Sequence, residues 1–283
     1  MDLIKPIEEL TFVDDFMFGY IMHMPDICKQ VLEKLLHIKI DKLVYPELQK
    51  SIQTFYESKG VRLDVYVKDS NRIFNIEIQN IRDKDLPKRT RYYQTMVDID
   101  NLLKGDDYSE LKESFIIFIC QYDHFKDGLP CYTFKNVCLE NKKRELDDET
   151  TKVIFNSNAY EKEKDVAIKA FLKYINTRVP TDTFTKQLDS MVEKIKYNNK
   201  FRNEYLAMNL HDRDIKKQAF EDGLSQGISQ GLSQGISQGE LQKAIETAKK
   251  LISYGDSIDK IMLVTGLPKE TIEQLAEENK SLK

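Results

Sequence analysis

Residues 61–79 decide the fold of this chain. They read Val61-Arg62-Leu63-Asp64-Val65-Tyr66-Val67-Lys68-Asp69-Ser70-Asn71-Arg72-Ile73-Phe74-Asn75-Ile76-Glu77-Ile78-Gln79. Apolar and polar residues alternate in both halves, and the polar middle predicts a β-hairpin with a two-residue loop at Ser70-Asn71. That loop sets a register in which Asp64 lies opposite Glu77. The same register places apolar pairs on one face: Leu63 with Ile78, Val65 with Ile76 and Val67 with Phe74.

The opposed carboxylates predict a metal site. Their face of the hairpin also carries Tyr66, Asn75 and Gln79. Like charges directly opposite each other cost a few tenths to about 1 kcal/mol on an exposed sheet, and more when they are partly buried. A divalent cation compensates such a pair. A second interpretation stays open, in which both acids are ordinary solvent-facing residues, because acidic pairs mark functional sites only statistically.

Length and composition bound the class of protein. The chain has 283 residues, of which 32% are charged and 41% hydrophobic, which predicts one main domain with an appendage. We expect a cytoplasmic protein with no membrane partner, since no apolar run approaches ~20 residues and the N-terminus lacks a signal-peptide pattern. Four cysteines without CxxC spacing argue against a zinc site. The net charge of −4 argues against non-specific coating of nucleic acid, although a local basic patch can still bind it.

The periodicity predicts an α/β core. Residues 14–36 have helical spacing broken at Pro25, and a second helix is expected from Pro87 to Leu103. Strands are expected at residues 38–45, 51–56, 114–120, 131–137 and 153–156. The run 114–120 is continuously apolar, as in a strand buried on both faces at the middle of a sheet. Residues 161–220 are expected to be helical, including 165–175 and 183–197. This order predicts a mixed sheet with helices.

The C-terminal third contains a four-residue repeat. Glycines recur at Gly223, Gly227, Gly231, Gly235 and Gly239, each followed by Leu or Ile and then Ser-Gln in the four complete repeats. A helix that lets two backbones approach closely and a flexible linker are both compatible with this repeat, since glycine weakens a helix by up to ~1 kcal/mol. Residues 241–252 are amphipathic, and 257–275 have helix-turn-helix spacing. The acidic second helix favours packing or partner contact over DNA readout. We expect four regions along the chain: the α/β core at 1–158, a helical region at 159–222, the repeat at 223–240 and a C-terminal helical hairpin at 241–283.

The hairpin oxygens suit a hard cation. The carboxylates of Asp64 and Glu77, with the main-chain carbonyl of Ile78, form an oxygen-only set of the kind that holds Mg²⁺ or Mn²⁺. A magnesium ion bound by two carboxylates keeps several waters, acidifies one and neutralises charge on a phosphoryl oxygen, which is the chemistry of phosphodiester hydrolysis. Gln79 lies on the same face and is expected to orient water or phosphate.

A basic segment follows the hairpin. Between residues 82 and 91, five basic residues stand against Asp83 and Asp85. Because they directly follow the acidic pair, Lys88, Arg89 and Arg91 are predicted to contact DNA phosphates, and a solvated helix face stays open as the alternative. The adjacent Tyr92 and Tyr93 are expected to pack in the core.

The acidic hairpin resembles a known signature. Asp64 on one strand and Glu77-Ile78-Gln79 on the next resemble the PD-(D/E)XK motif, with glutamine in the lysine position. Over about residues 10–240 the chain is similar to the PD-(D/E)XK nuclease family transposases, the recombination-promoting nuclease (Rpn) family. Further segments carry the likeness: Asp14-Asp15-Phe16-Met17-Phe18, Arg89-Thr90-Arg91-Tyr92-Tyr93, Gly105-Asp106-Asp107-Tyr108, and residues 118–123 with Tyr132.

The resemblance implies a fold and an activity. The fold would be a restriction-endonuclease-like core, a mixed central sheet flanked by helices, with an all-helical C-terminal extension. The activity would be DNA cleavage during recombination or mobile-element movement, with Mg²⁺ as the cofactor, or Mn²⁺ or Ca²⁺ in its place. Asp64 and Glu77 would be the metal ligands, and Asp15 or Glu33 an additional acid. Lys88, Arg89 or Arg91 would supply the positive charge that Gln79 lacks.

Two functions therefore stay open. The first is a Mg²⁺-dependent DNA endonuclease that uses Asp64, Glu77 and Gln79. The second is a catalytically inactive DNA-binding scaffold with a vestigial site, which the missing lysine favours. In either case the glycine repeat is a candidate helix for homo-oligomer formation.

Overall fold

The computed structural model of the chain describes residues 5–44, 51–52 and 61–281. The strands are β1 (Ser51–Ile52), β2 (Val61–Arg62), β3 (Val65–Lys68), β4 (Arg72–Gln79), β5 (Glu113–Cys120), β6 (Cys131–Phe134) and β7 (Thr150–Asn156). The helices are α1 (Asp15–Met22), α2 (Pro25–Leu36), α3 (Leu86–Asn101), α4 (Val166–Thr177), α5 (Thr183–Lys196), α6 (Asn199–Tyr254), α7 (Ile258–Thr265) and α8 (Lys269–Ser281). Short 3-10 helices lie at Ile7–Glu9, Tyr108–Glu110 and Ser157–Lys162.

A five-stranded mixed sheet forms the centre of the fold. Its strand order is β3-β4-β5-β7-β6, in which β4, β5 and β7 are parallel and the two edge strands are antiparallel to their neighbours. The third strand, β5, is the apolar run at 114–120, and its residues from Ser114 to Cys120 are buried. The sequence prediction of a mixed sheet flanked by helices, as in restriction endonucleases, is confirmed.

The hairpin register is confirmed. Strands β3 and β4 pair Val65 with Ile76 and Val67 with Phe74, and the Asp69 N–H donates to the Arg72 carbonyl (2.9 Å) across the two-residue loop. Both faces are covered, however. Tyr66, Asn75 and Glu77, on the face that carries the acids, are exposed by 0%, 0% and 2%. The interpretation of that face as an ordinary solvent-facing surface is therefore wrong, and its buried charge needs compensation.

Helix α3 packs on the acidic face. It connects β4 to the parallel strand β5, and a parallel connection requires such a crossover because the chain must return to the same end of the sheet. Its buried residues join those of the sheet in one cluster, which contains Tyr66, Leu86, Tyr93, Met96, Val97, Ile116 and Phe118 among others. The core positions predicted for Tyr93 and, in part, for Tyr92 are confirmed. This packing brings the first turns of α3 to the face of the hairpin that carries Asp64 and Glu77.

Several predicted boundaries change. Helices α1 and α2 divide at Pro25 as predicted, and α3 ends at Asn101 rather than Leu103. The strand predicted at 38–45 is wrong over its described part, because the Ile40 N–H donates to the Glu33 side chain (2.9 Å) and only Val44 bridges to Lys68. Tyr45 and residues 53–56 lie outside the described residues. The last two strands are β6, which ends at Phe134, and β7, which begins at Thr150.

The chain divides into two compact units, residues 1–206 and 207–283. The second contains the glycine repeat within helix α6, followed by α7 and α8. Gly266 allows the tight turn between these last two helices because it has a positive φ of 70° and ends α7 in the left-handed conformation. A small core holds the C-terminal helices together, made of Ala248, Ile261, Leu267, Ile272 and Leu275.

Candidate metal centre and nucleic-acid site

The carboxylates of Asp64 and Glu77 each accept a main-chain N–H from the opposite side of the hairpin. Asp64 directly precedes β3, and its N–H donates to Glu77 Oε1 (3.1 Å). In return the Ile78 N–H donates to Asp64 Oδ2 (3.2 Å). These bonds continue the hairpin one residue beyond β3 and hold the two side chains close together. The two carboxylates are thus brought together as the sequence predicts.

The pair is electrostatically unfavourable in the absence of a cation. Burial raises the pKa of Glu77 well above its ordinary value, and the charge of Asp64 raises it further. The Asp64 N–H and the Arg89 guanidinium act in the opposite direction without cancelling this effect. A buried carboxylate beside a second carboxylate gains most from a bound cation, because the cation removes their repulsion.

Asp64 and Glu77 line a cleft of about 220 Å³. Its lining brings together residues from α1, the hairpin, the loop that follows β4, and α3: Asp15, Asp64, Glu77, Ile78, Gln79, Asn80, Ile81, Arg89 and Tyr93. Asp15, one of the two candidate additional acids, lies in this cleft. Glu33 does not line it. Glu33 accepts the Ile40 N–H and pairs with Lys29 at 4.0 Å, so its contacts are structural.

The oxygen donors fit a divalent cation. The Gln79 carbonyl accepts the Gln121 N–H (3.0 Å) on the β5 side, so alternation along β4 directs the Ile78 carbonyl to the side of Asp64. Two carboxylates and one carbonyl therefore lie on the same side of the hairpin, and their role as metal ligands remains a prediction. In the described part of the chain, no group of three or more His, Cys, Asp or Glu residues could hold a metal. Two carboxylates suit Mg²⁺, which keeps several of its own waters.

Gln79 is engaged by protein groups. Its Oε1 accepts a hydrogen bond from Arg89 Nη1 (2.8 Å), and its Nε2 donates to the Ile81 carbonyl (2.7 Å). The expected role of Gln79 in orienting water or phosphate remains a prediction, and its observed partner is the guanidinium of Arg89. The side chain therefore links strand β4 to helix α3.

Arg89 is the basic residue that enters the cleft. Its Nη1 also donates to Asp83 Oδ2 (2.9 Å), its Nη2 donates to the Tyr93 hydroxyl (3.0 Å), and Nη2 lies 3.9 Å from Glu77 Oε2. Burial works against its charge, but the hydrogen bonds with Tyr93 and Asp83 raise the pKa of Arg89. Lys88 and Arg91 are exposed on α3 and do not line the cleft.

The loop between β4 and α3 is held at several points. Asn80 Nδ2 donates to the Val13 carbonyl (2.5 Å), and the Asp83 N–H donates to the Tyr122 hydroxyl (3.1 Å). Sequence reasoning treated Asp83 only as a neutralising charge and Tyr93 only as a core residue. Arg89 and Tyr93 are one helical turn apart, so their spacing could have predicted that the two side chains meet. The contact between Asp83 and Arg89 is visible only in the folded loop.

Comparison with known proteins identifies the family of the chain. The family model described as PD-(D/E)XK nuclease family transposase matches residues 14–218, which is more than half of the chain. The match includes both carboxylates, Gln79 and Arg89. No curated protein and no solved structure gave a match. In the part of the chain that the structure describes, no helix combines the length and apolarity needed to span a bilayer. The chain belongs to the PD-(D/E)XK nuclease family transposases.

Proposed function

We propose that this protein is a metal-dependent DNA endonuclease that hydrolyses phosphodiester bonds. One observation carries the proposal: a buried carboxylate, Glu77, opposes a second carboxylate, Asp64, in a cleft that also receives the guanidinium of Arg89. The family is that of nucleases associated with transposition, so a place in recombination or mobile-element movement is the proposed setting.

The chain supplies ligands and charge to the reaction. Asp64, Glu77 and the Ile78 carbonyl would hold Mg²⁺, or Mn²⁺ or Ca²⁺ in its place. When bound, a divalent cation supplies a water of lowered pKa and neutralises charge on the phosphoryl group. Asp15 is exposed and lines the same cleft, and it would contact water around the ion. Arg89 faces the same space and contributes positive charge to the transition state.

DNA would reach the cleft along a basic surface. Next to the cleft, and sharing Gln79 and Ile81 with it, lies an open depression of about 540 Å³ lined by the β4–α3 loop. Arg82 and Lys84 of this loop are exposed, as are Lys88 and Arg91 on the following helix. Exposed lysine and arginine beside a hydrolytic site suit the phosphate backbone, whose contacts position a duplex without reading its sequence.

Nicking of supercoiled plasmid tests the proposal. We expect cleavage with Mg²⁺ or Mn²⁺, and loss of at least about 100-fold in rate for Asp64→Ala or Glu77→Ala, because each removes a ligand of the ion. Asp26→Ala, an exposed acid on α2, is the matched control and should keep the full rate. Folded wild type that does not cut plasmid or linear DNA with any of the three ions contradicts the proposal.

The second function is a DNA-binding scaffold with a vestigial site. Glutamine at the motif's lysine position favours it. Calorimetric titration with Mn²⁺ separates the two functions. A binding signal that Asp64→Ala abolishes supports the endonuclease, and absence of binding at millimolar ion supports the scaffold.

Self-association of the second unit is compatible with either function. We propose that a second copy of the chain packs on the helix stripe of Leu224, Ile228, Leu232 and Ile236, whose side chains are 53–64% exposed. Each four-residue step advances about 40° around a helix, so the four side chains lie on one broad face. A Cβ added at any glycine of the repeat would meet nothing within 4 Å, so the backbone here is open to close approach.

A further inference from the structure

We propose that Arg89, on helix α3, is the cation of this site in place of the motif's lysine, and that Gln79 and Asp83 are positioning residues for its guanidinium. The inference rests on the proposed nuclease function and assigns roles within the same cleft. The name of the motif puts a lysine two residues after the acid, and this chain has Gln79 there. The charge must therefore come from elsewhere.

The geometry brings the guanidinium to the lysine position. Gln79 Oε1 accepts its hydrogen bond from Arg89 Nη1 (2.8 Å), so the charged group lies at the end of the glutamine side chain. The neighbouring Nη2 lies 3.9 Å from Glu77 Oε2. A charge carried by a helix residue thus occupies the region that a lysine side chain at residue 79 would reach.

Aromatic packing adds a second constraint. The guanidinium carbon lies 5.3 Å from the ring centre of Tyr93 and 5.4 Å from that of Phe118, and the Tyr93 hydroxyl accepts from Nη2 (3.0 Å). Planar guanidinium groups stack on aromatic rings in a way that ammonium groups do not. These contacts limit the rotation of the side chain, and a preorganised charge stabilises a transition state better than a mobile one.

Asp83 completes the arrangement from the loop. Its Oδ2 accepts from Arg89 Nη1 (2.9 Å), its Oδ1 accepts the Asp85 N–H (2.8 Å), and its own N–H donates to the Tyr122 hydroxyl (3.1 Å). Asp83 touches the guanidinium and does not line the acidic cleft. It therefore acts through Arg89. Gln79 lines the cleft, and from strand β4 its Oε1 holds Arg89 Nη1.

The other two basic candidates lack these features. Lys88 and Arg91 flank Arg89 on α3, both are exposed, and neither lines the cleft. They remain candidates for phosphate contact on the DNA backbone. The assignment has a chemical consequence: a guanidinium stays protonated throughout the physiological range, so this cation stabilises charge and does not act as a base.

The role of Arg89 is tested by removing its charge and placing a lysine at residue 79 on strand β4. Single-turnover cleavage at saturating DNA and Mg²⁺ should fall about 100- to 1000-fold in Arg89→Ala. The double variant Gln79→Lys with Arg89→Ala should recover at least about tenfold over Arg89→Ala, because the lysine then supplies the charge from residue 79. Arg144→Ala, an exposed arginine that lines neither the cleft nor the neighbouring depression, is the matched control and should keep the wild-type rate.

The positioning role of Asp83 has its own readout. Asp83→Asn should lower the single-turnover rate about tenfold in wild type and leave the Gln79→Lys, Arg89→Ala protein unchanged, because that protein no longer uses the guanidinium. A merely structural role for Asp83 would lower both rates equally. Equal losses in the two backgrounds overturn the positioning role.

Further outcomes separate this inference from the proposed function. If wild type does not cleave, the proposed function fails and this role fails with it. If wild type cleaves and Arg89→Ala cleaves within about threefold of it, the function stands and this inference is overturned. It is likewise overturned if Arg89→Ala loses Mn²⁺ binding in calorimetry, which would assign the arginine to holding the carboxylates, or if adding Gln79→Lys restores nothing.

Discussion

Among single residues, Glu77 combines a hydrogen bond that supports the hairpin with a buried negative charge. Its Oε1 accepts the Asp64 N–H, which extends the hairpin one residue beyond Val65, the first paired residue of β3. Its charge is buried beside Asp64 and opposes folding when no cation is present. This buried carboxylate thus carries a cost in stability that a bound cation would remove.

This cost predicts that metal stabilises wild type much more than it stabilises Glu77→Gln. In chelator, Glu77→Gln should unfold at a higher temperature than wild type, because glutamine keeps an acceptor for the Asp64 N–H and removes one of two opposed charges. With Mn²⁺ at ~100 times its dissociation constant, wild type should gain about 3 kcal/mol and the variant much less. Thermal unfolding with and without Mn²⁺ measures this. Equal gains in the two proteins would count against Glu77 as a ligand.

Asp98 on α3 predicts a dependence of stability on pH. Burial raises its pKa above the ordinary 3.8, against the Gln94 hydrogen bond and Lys152, and nearby Asp148 adds to the rise. The folded protein therefore binds this proton more tightly than the unfolded chain, so ionisation of Asp98 opposes folding as the pH rises past its ordinary pKa. Asp98→Asn should be the more stable protein at pH 7, and the difference should vanish below about pH 3. Denaturant titrations at the two pH values check both statements.

At the scale of elements, helix α6 combines a low intrinsic propensity with an exposed apolar face. Its repeat contains five glycines, each of which weakens a helix by about 1 kcal/mol relative to alanine. Alanine would fit sterically at every one of them, because the space beside each is open. Packing of a second helix against this face would account for glycine at these positions.

Alanine substitution in the repeat separates helix stability from association. Replacing Gly227, Gly231 and Gly235 together should increase helix content by circular dichroism, and should weaken self-association about tenfold or more because added methyl groups keep two backbones apart. Light scattering over a concentration series measures the second effect. The proposed interface is contradicted if wild type has the mass of a monomer at every concentration, or if the variant has the same mass as an associated wild type.

At the scale of the whole molecule, the charge distribution matters more than its sum. The chain carries a net charge of −4, so attraction to DNA has to come from a local surface. The surface that we propose for it consists of the exposed residues Arg82, Lys84, Lys88 and Arg91. Binding there would release counterions from the DNA, which makes affinity depend on salt.

This surface predicts the slope of DNA affinity against salt. Measured in chelator, so that DNA stays intact, the affinity of Lys88→Ala with Arg91→Ala should fall, and the slope of log affinity against log salt should decrease by about two. Lys186→Ala, an exposed lysine on α5, is the control and should leave the slope unchanged. A double variant with the wild-type slope would remove these residues from the DNA interface.

How much the sequence could predict differs between elements. The hairpin register follows from local alternation and a short turn, and the structure confirms it at Val65–Ile76 and Val67–Phe74. The central position of β5 follows from its unbroken apolar run. The strand predicted at 38–45 fails because a tertiary hydrogen bond from Ile40 to Glu33 takes its place. A pattern within the segment cannot show that competition.

Local periodicity and short spacing were enough to predict the β3–β4 hairpin, the central position of β5 and the opposed pair of Asp64 and Glu77, and the motifs of the chain indicated its family. Only the tertiary structure distinguished Arg89 from Lys88 and Arg91, placed Asp15 rather than Glu33 in the cleft, and joined Asp83 and Gln79 to the guanidinium. The physical reason is that these contacts form between a strand, a loop and a helix, and their directions are set by how α3 packs on the sheet.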